Sequence, residues 1–423
     1  MAFDFPNAPT TNQIVTMPDG TVRKWDGVKW VAGQTPTAPY CYTGDAPPSN
    51  PTPGASWWDS VSCQLFVYYN DGNSSQWVPA VAIPASVGEA PSNSNYYARR
   101  NGQWSDIGTS QLQGNVGRNV IHNSMFNVQQ RGGGPWTIGG YTADRWTQYI
   151  SVDTCSTAIY TLADTDRAQI GDEAAQYTLG MTFTGTTGST SQTTMLQRIE
   201  NLRSFSGKTL TLSFWARNVS GSAKIGVAWS QNFGTGGSPS ANITNNFGVT
   251  PTLTNSFVRY TLTTTLPSIS GKTLGSNGNS SLDIQFHLSC ATSNPNNAVS
   301  GGIGTQSGSI NLWGVQLEIG SVATQLEKIP FEDDLKHCQR FYQTGYFSNT
   351  GYASATGIIH GYVQTYPVWM RAAPTMTSSG TTAVNVSGNG LFPSGVHSLE
   401  VATNGAAIGG YIWKGVWTAI ADL

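Results

Sequence analysis

The sequence predicts a mostly β protein: small N-terminal β-hairpin modules, a central antiparallel sandwich, and a C-terminal β domain preceded by one short helix. Three observations predict it. Only 10% of the 423 residues are charged, against roughly 25% in an average soluble domain. Gly (48) and Pro (21) together make about one residue in six, and Ser, Thr and Asn fill much of the rest. Short segments of apolar–polar alternation recur between turn residues, which gives each strand one apolar and one polar face. This composition excludes a long coiled coil and a chain disordered by excess charge, because both need far more charged residues.

The first ~110 residues hold degenerate repeats, each a Pro-rich lead-in, a strand, an Asp-Gly or Asn-Gly turn and a strand near a Trp. Asn7-Ala8-Pro9 leads through Asp19-Gly20 to Trp25-Asp26-Gly27-Val28-Lys29-Trp30. Gly44-Asp45-Ala46-Pro47-Pro48 leads to Trp57-Trp58-Asp59, then Asn70-Asp71-Gly72 and Trp77; Gly88-Glu89-Ala90-Pro91 leads to Tyr96-Tyr97 and Asn101-Gly102-Gln103-Trp104. A lone hairpin of this size buries too little to be stable, so the modules must pack on each other, on other copies or on a partner. The expected divisions are a module at 1–40, two further hairpin repeats at 41–108, a linker at 109–117, a sandwich at 118–328 and a C-terminal domain at 329–423.

Within 118–328, Leu210, Leu212, Phe214 and Ala216 alternate with Thr211, Ser213, Trp215 and Arg217. Leu282, Ile284, Phe286 and Leu288 alternate with Asp283, Gln285 and His287, and Val258, Tyr260 and Leu262 with Arg259, Thr261 and Thr263. Many such strands in about 210 residues predict an antiparallel sandwich. The one predicted helix follows Pro330: Glu332, Asp333 and Asp334 suit its first turn, and Leu335, Cys338, Phe341 and Tyr342 recur at helical spacing. Beyond Gly345 the strand pattern returns, and Tyr346, Phe347, Tyr352, Tyr362, Trp369, Tyr411, Trp413 and Trp417 are expected to be exposed there.

The net charge of −2 and pI near 6.2, with no basic run, argue against nucleic-acid binding. No apolar run reaches the ~18–20 residues of a membrane span, and Met1 to Thr11 shows no secretory signal. Cys41, Cys63, Cys155, Cys290 and Cys338 are odd in number and scattered, so they read as buried free thiols; a Cys41–Cys63 bridge stays open. The five His residues lack metal-ligand spacing, and no metal or cofactor is expected. Ser206-Gly207-Lys208-Thr209 and Ser270-Gly271-Lys272-Thr273 lack the earlier glycine of a phosphate loop, since Leu202 and Leu266 stand there; they read as turns. Glu200, Asp283, Glu318 and Glu327 are the carboxylates available for acid–base work, but nothing pairs two of them at a catalytic separation, and no enzyme is assigned.

Trp215 is the aromatic that departs from a core reading, because it shares the polar face of its strand with Ser213 and Arg217. If the strands Thr209–Arg217 and Leu282–Leu288 lie in one sheet, Trp215, Arg217, Asp283, Gln285 and His287 form one surface. A flat ring beside amide and charged groups is the chemistry that packs on a sugar's C–H face and bonds its hydroxyls. The competing reading is that a second layer covers this face.

Three groups of motifs resemble bacteriophage fibre or receptor-binding proteins. Lys24–Trp30 (KWDGVKW), Gly54–Asp59 (GASWWD), Tyr68–Val78 (YYNDGNSSQWV) and Tyr97–Trp104 (YARRNGQW) look like the short modules at the virion-proximal end. Asn119–Gly132, Tyr141–Trp146, Leu196–Asn218 and Ser309–Thr324 are similar to the middle domain of many phage fibres, itself akin to jelly-roll carbohydrate-binding modules. Asp333–Gln343, Met370–Thr375 and Trp417–Leu423 resemble the C-terminal domain of the same proteins. The resemblance implies a homotrimeric structural protein made in the host cytoplasm and located in the virion. Residues 1–40 would grip another phage structural protein, and the fibre would adhere to a host cell-surface glycan without entering a membrane. A tail fibre is the leading reading, a capsid-anchored fibre the close alternative, and an accessory module of a carbohydrate-active enzyme the third.

Overall fold

The structure is a computed structural model and describes residues 4–33, 41–80, 97–100, 103–106 and 117–423. The spacer 35–39, the lead-in 88–91, Tyr96, the Asn101-Gly102 turn and the linker 109–117 except Gly117 lie outside the described residues. Strand accounts for 48% and helix for 6%, so the protein is mostly β. It divides into two compact units, Met1–Ser105 and Asp106–Leu423.

In the first unit, β1 (Ile14–Thr16), β2 (Val22–Trp25) and β3 (Trp30–Ala32) form an antiparallel meander. Its turns are the two Asp-Gly pairs: Gly20 and Gly27 have φ of +82° and +104°, and the Asp26 carboxylate accepts the N–H groups of Val28 and Lys29 at 2.8 Å. β4 (Cys41–Gly44) runs parallel to β5 (Ser56–Asp59), because the Pro-rich connection 45–55 carries the chain back instead of reversing it. β6 (Gln64–Asn70) and β7 (Ser75–Pro79) complete that sheet, and β8 (Tyr97–Arg100) and β9 (Gln103–Asp106) pair separately. Trp57 donates Nε1–H to the Gly44 carbonyl at 3.1 Å and stacks on Phe66 with centroids 5.2 Å apart. Ala55 and Trp57 are the only buried apolar residues among the described residues of this unit. Cys41 and Cys63 are free and exposed, which corrects the expectation of burial for these two; Cys155, Cys290 and Cys338 are free and buried.

The second unit begins with a jelly-roll sandwich. Its strands are β10 (Gly140–Tyr141), β11 (Trp146–Ser151), β12 (Thr154–Thr161), β13 (Tyr177–Thr184), β14 (Gln192–Glu200), β15 (Thr209–Gly221), β16 (Gly226–Asn232), β17 (Ile243–Val249), β18 (Val258–Thr265), β19 (Ser281–Cys290) and β20 (Ser307–Ile319). They form a six-stranded sheet in the order β10-β11-β14-β19-β16-β17 and a five-stranded sheet in the order β12-β13-β20-β15-β18. The alternating residues do what their pattern predicts: Leu210, Leu212, Phe214 and Ala216 are fully buried, and so are Leu282 and Ile284. Phe214 of one sheet meets Phe286 of the other edge-on at 5.3 Å. A helix the sequence reading missed, α1 (Asp164–Ile170), lies between β12 and β13; its Asp166 carboxylate accepts the Ala163 N–H at 3.2 Å.

The predicted helix is α2 (Phe331–Gln339), with Glu332, Asp333 and Asp334 in its first turn. It stops before Phe341 and Tyr342, which the spacing had included. After it come β21 (Tyr342–Ala353), β22 (Ile359–Thr365), β23 (Thr375–Val384), β24 (Val386–Pro393), β25 (Ser398–Gly405) and β26 (Gly409–Ile420). They make two three-stranded sheets, β21-β26-β23 and β22-β25-β24, with a shared core of Phe347, Leu399, Val401, Trp413 and Trp417. The expectation of exposed aromatics is therefore corrected for Phe347, Tyr411, Trp413 and Trp417, all buried, and for Tyr362, half-buried against that core, while Tyr346, Tyr352 and Trp369 are exposed. The inward residue of each strand pair was already filling this small core.

Charged pairs fasten these strands to the sandwich. Arg131 holds Asp422 through two contacts of 2.9 and 2.7 Å and lies 3.8 Å over the Tyr342 ring. The Arg145 side chain covers Phe341 at 3.3 Å. Arg340 meets Glu200 at 2.6 Å, and Asp334 accepts the Asn123 N–H at 2.8 Å.

Candidate functional site

The five residues expected to form one surface lie on two different sheets. Trp215 and Arg217 are on the outward face of β15, hydrogen-bonded to β18 and β20; Asp283, Gln285 and His287 are on the outward face of β19, between β14 and β16. The shared-sheet premise fails because alternation reveals which side chains share a face of one strand, not which sheet that strand joins.

The outward face of β15 is covered. Trp215 packs edge-on against Trp313 at 5.3 Å and carries the Arg259 guanidinium at 4.7 Å. Both belong to a second small core with Met125, Leu162, Ile170, Phe257 and Leu326. Arg217 is tied to Asp166 of α1 at 2.5 Å, and its guanidinium lies 4.7 Å over Phe257. The covering layer weighed against a sugar platform is thus what the fold contains: α1 and the segment 320–328 close over this sheet.

The outward face of the six-stranded sheet is different. In register across it stand Thr147 and Tyr149 of β11, Thr194, Leu196 and Arg198 of β14, Asp283, Gln285 and His287 of β19, Ala228 and Ser230 of β16, and Thr244 and Asn246 of β17. Tyr149 is 48% exposed; Tyr141 of β10, in register with Thr147, is a second aromatic of this face, half-buried with its hydroxyl donating to the Leu423 carbonyl at 2.9 Å. Gln285 is half-buried, opposite Leu196 on one side and Ala228 on the other. Asp283 accepts from Ser281 Oγ at 2.5 Å and pairs with Arg198 at 3.6 Å. Burial pushes its carboxyl up, against the pull of those two partners. His287 is buried, bonds Thr194 Oγ1 through Nδ1 at 3.0 Å, and is held down to about 4 by burial, so it is neutral at pH 7. The face therefore carries two tyrosine rings, hydroxyls, amides, two aliphatic side chains, a neutral imidazole and one internally paired ion; Tyr149 stands exposed, whereas Thr194, Leu196, Ala228, Ser230, Asp283 and His287 are buried.

Sequence reasoning found Asp283, Gln285 and His287 on this face and missed Thr147, Tyr149, Leu196, Arg198, Ser230 and Asn246. The signal for Tyr149 was present in the alternation Trp146-Thr147-Gln148-Tyr149. It was masked because a polar residue, Gln148, points inward, where its amide reaches the carbonyls of Trp136 and Ile138 at 3.4 and 3.2 Å.

The other carboxylates have structural partners. Glu318 accepts from Thr324 N and Oγ1 at 2.9 and 2.7 Å, Glu327 from the Asn119 N–H at 2.7 Å, and Glu200 is bound by Arg340 and Arg371. A cavity of about 950 Å³ is lined by Arg118, Glu327, Lys328, Asp333 and the stacked rings of His122 and His337, 4.9 Å apart. Burial lowers both imidazoles from their ordinary value, and the stack joins the start of the sandwich to α2.

No family model matches the chain, and no curated protein matches it. Among solved structures it is similar to the enzymatically active domain of tailspike protein 4 of bacteriophage CBA120, at 16% identity and TM-score 0.25 over 48% of this chain and 21% of that one. It is similar to the family 11 carbohydrate-binding module of Clostridium thermocellum in complex with a β-1,3-1,4-mixed-linked tetrasaccharide, at 12% identity and TM-score 0.27 over 44% and 96%. A third is the CBM22-1 xylan-binding domain of Paenibacillus barcinonensis Xyn10C, at 11% identity and TM-score 0.26 over 45% and 97%. The chain spans about a fifth of the tailspike chain it matches.

Proposed function

We propose that this chain is a non-enzymatic structural fibre of a bacteriophage particle, on its tail. Residues 1–40 attach it to the virion, it works as a homotrimer, and it adheres to a host-surface glycan through the outward face of the six-stranded sheet. The observation that carries the glycan reading is Tyr149: an exposed ring on a sheet face that also holds hydroxyls, the half-buried Gln285 amide and an internally paired Arg198–Asp283, beside the aliphatic Leu196 and Ala228. A sugar offers C–H faces to a ring and hydroxyls to amides, and it needs no free charge or cofactor from its binder. The virion reading is supported by the order of motifs along the chain, with Trp-bearing modules first, sandwich second and aromatic β domain last. The carboxylates of the sandwich serve as hydrogen-bond and ion-pair partners, which supports adhesion over hydrolysis.

Affinity per copy need be no better than millimolar, about −4 kcal/mol, because several copies per particle multiply it. Tyr149→Ala is the test. The ring is half exposed, so the melting temperature should stay within a degree or two, while losing about 1.5 kcal/mol per site lowers monomeric glycan affinity roughly tenfold. Particle adsorption to host cells should fall further through lost avidity. Unchanged adsorption with an intact fold would remove this face as the receptor site.

A further inference from the structure

The outer face of the β21-β26-β23 sheet carries a cavity of about 450 Å³, within the ~300–1,000 Å³ of small-ligand clefts. Register builds it. Ser348 of β21, Lys414 of β26 and Thr382 of β23 stand in one row, each opposite the next, and all three are exposed. Tyr346, opposite Val416 in the adjoining row, is 82% exposed. A bulge shapes the rim: pairing steps from Ser379–Val416 to Thr382–Lys414, so Gly380 and Thr381 together face Gly415. Gly380 has a φ of +57°, and a Cβ at Gly415 would come within 2.9 Å of the Ser379 carbonyl oxygen. These two glycines admit the bulge, and the bulge sets Thr382 opposite Lys414.

The polar groups of this row are unspent. The cations between Tyr342 and Leu423 are Arg371 and Lys414, and Arg371 pairs with Glu200 of the sandwich. Lys414 has no ion pair or side-chain hydrogen bond among the described residues. The strands β21, β23 and β26 hold no Asp or Glu, so no carboxylate of this sheet answers its charge. The hydroxyls of Ser348 and Thr382 are likewise without a hydrogen bond among the described residues. An exposed ring, an ammonium and two hydroxyls thus line one cavity with nothing bonded to them.

We propose that this cavity is a second binding site, and that it takes a carboxylate-bearing sugar, a hexuronic acid residue. The carboxylate meets the Lys414 ammonium in a charge-assisted pair. The sugar hydroxyls meet Ser348 and Thr382, and the C–H face lies on the Tyr346 ring. Each group of the row then has its counterpart. A neutral sugar would leave the ammonium unanswered, and a bare inorganic anion would leave the ring unused. The site differs in chemistry from the Tyr149 face, where Arg198 is already paired with Asp283, and it does not rest on the reading of that face.

The test titrates the full-length protein with methyl β-D-glucuronide and with its neutral counterpart, methyl β-D-glucoside, by saturation-transfer NMR. The glucuronide should bind about tenfold more tightly, and raising the salt should shrink that preference. Lys414→Ala should abolish the preference and Lys414→Arg should keep it, because the charge is retained. Tyr346→Ala should weaken glucuronide binding about tenfold. All three variants should melt with the parent, since the replaced groups are exposed. Tyr149→Ala should leave glucuronide affinity unchanged, so the two sites fail or stand separately. The glucuronide, unlike the glucoside, should also shield Lys414 from acylation by a water-soluble succinimidyl ester, read by mass spectrometry. Equal affinity for the two sugars, or a preference that survives Lys414→Ala, overturns the site. So does a Lys414 that resists acylation without ligand, because another part of the assembly then covers the face. Displacement of the glucuronide by an equal concentration of inorganic phosphate overturns the sugar and leaves an anion site.

Discussion

Trp215 separates a side chain's face from its environment. Its strand alternation places it outward, and it is outward; yet Trp313, Arg259 and Leu326 cover it. Gly314 records the same packing, because its φ is +61° and a Cβ there would come within 2.9 Å of the Trp215 ring. The consequence reverses the expectation for a sugar platform. Trp215→Ala should open a cavity in the second core and cost about 3 kcal/mol, lowering the melting temperature by roughly 10 °C. Adsorption per folded particle should be unchanged. A melting temperature within a degree of the parent would show that the ring is not packed as described.

At the scale of elements, what was legible follows from the range of the interactions. The strands Thr209–Gly221 and Ser281–Cys290 announce themselves because alternation is local, and so does the acidic first turn of α2 after Pro330. Sheet membership was not legible, because β15 pairs with β20 some hundred residues away and β19 with β14 across nearly as many. α1, at seven residues, is too short for a helical period to emerge. α2 does more than begin the last domain. Burial raises its Asp334 carboxyl to about 6, assisted by the neighbouring charge of Asp144 and opposed by the Asn123 N–H it accepts. Relative to an unfolded carboxyl near 3.8, the folded state holds the proton more tightly. The stability this contributes is complete below about pH 3.8 and is lost as pH rises through 6. Asp334→Asn keeps an acceptor for Asn123 without the ionisation. It should match the parent at pH 4 and melt higher at pH 8, by an amount on the order of 3 kcal/mol. Equal loss at both pH values would make the hydrogen bond, not the buried charge, the dominant effect.

The whole molecule combines one unit with a large core and one with almost none. The sandwich closes over Trp146, Phe214, Phe286 and their neighbours, whereas Ala55 and Trp57 are the buried apolar residues among the described part of Met1–Ser105. That first unit depends on ring contacts at half-exposed positions, such as Phe5 on Trp30 at 5.0 Å and Trp25 against Trp30 at 5.5 Å. A meander of three short strands with one aromatic cluster buries too little to offset the ordering of its backbone. A surface that it covers would supply the rest, which supports the proposal that residues 1–40 attach the chain to the virion. Removing residues 1–33 should therefore leave the main melting transition, that of the sandwich and its C-terminal sheets, where it was. The same truncation should yield particles that carry no fibre when the shortened chain replaces the full one during assembly. Both readouts are needed, calorimetry for the fold and immunoblotting of purified particles for incorporation. Normal incorporation with an unshifted transition would move the anchor out of these residues, and the exposed Trp58, Leu65 and Tyr69 of the second module would then be the next surface to remove.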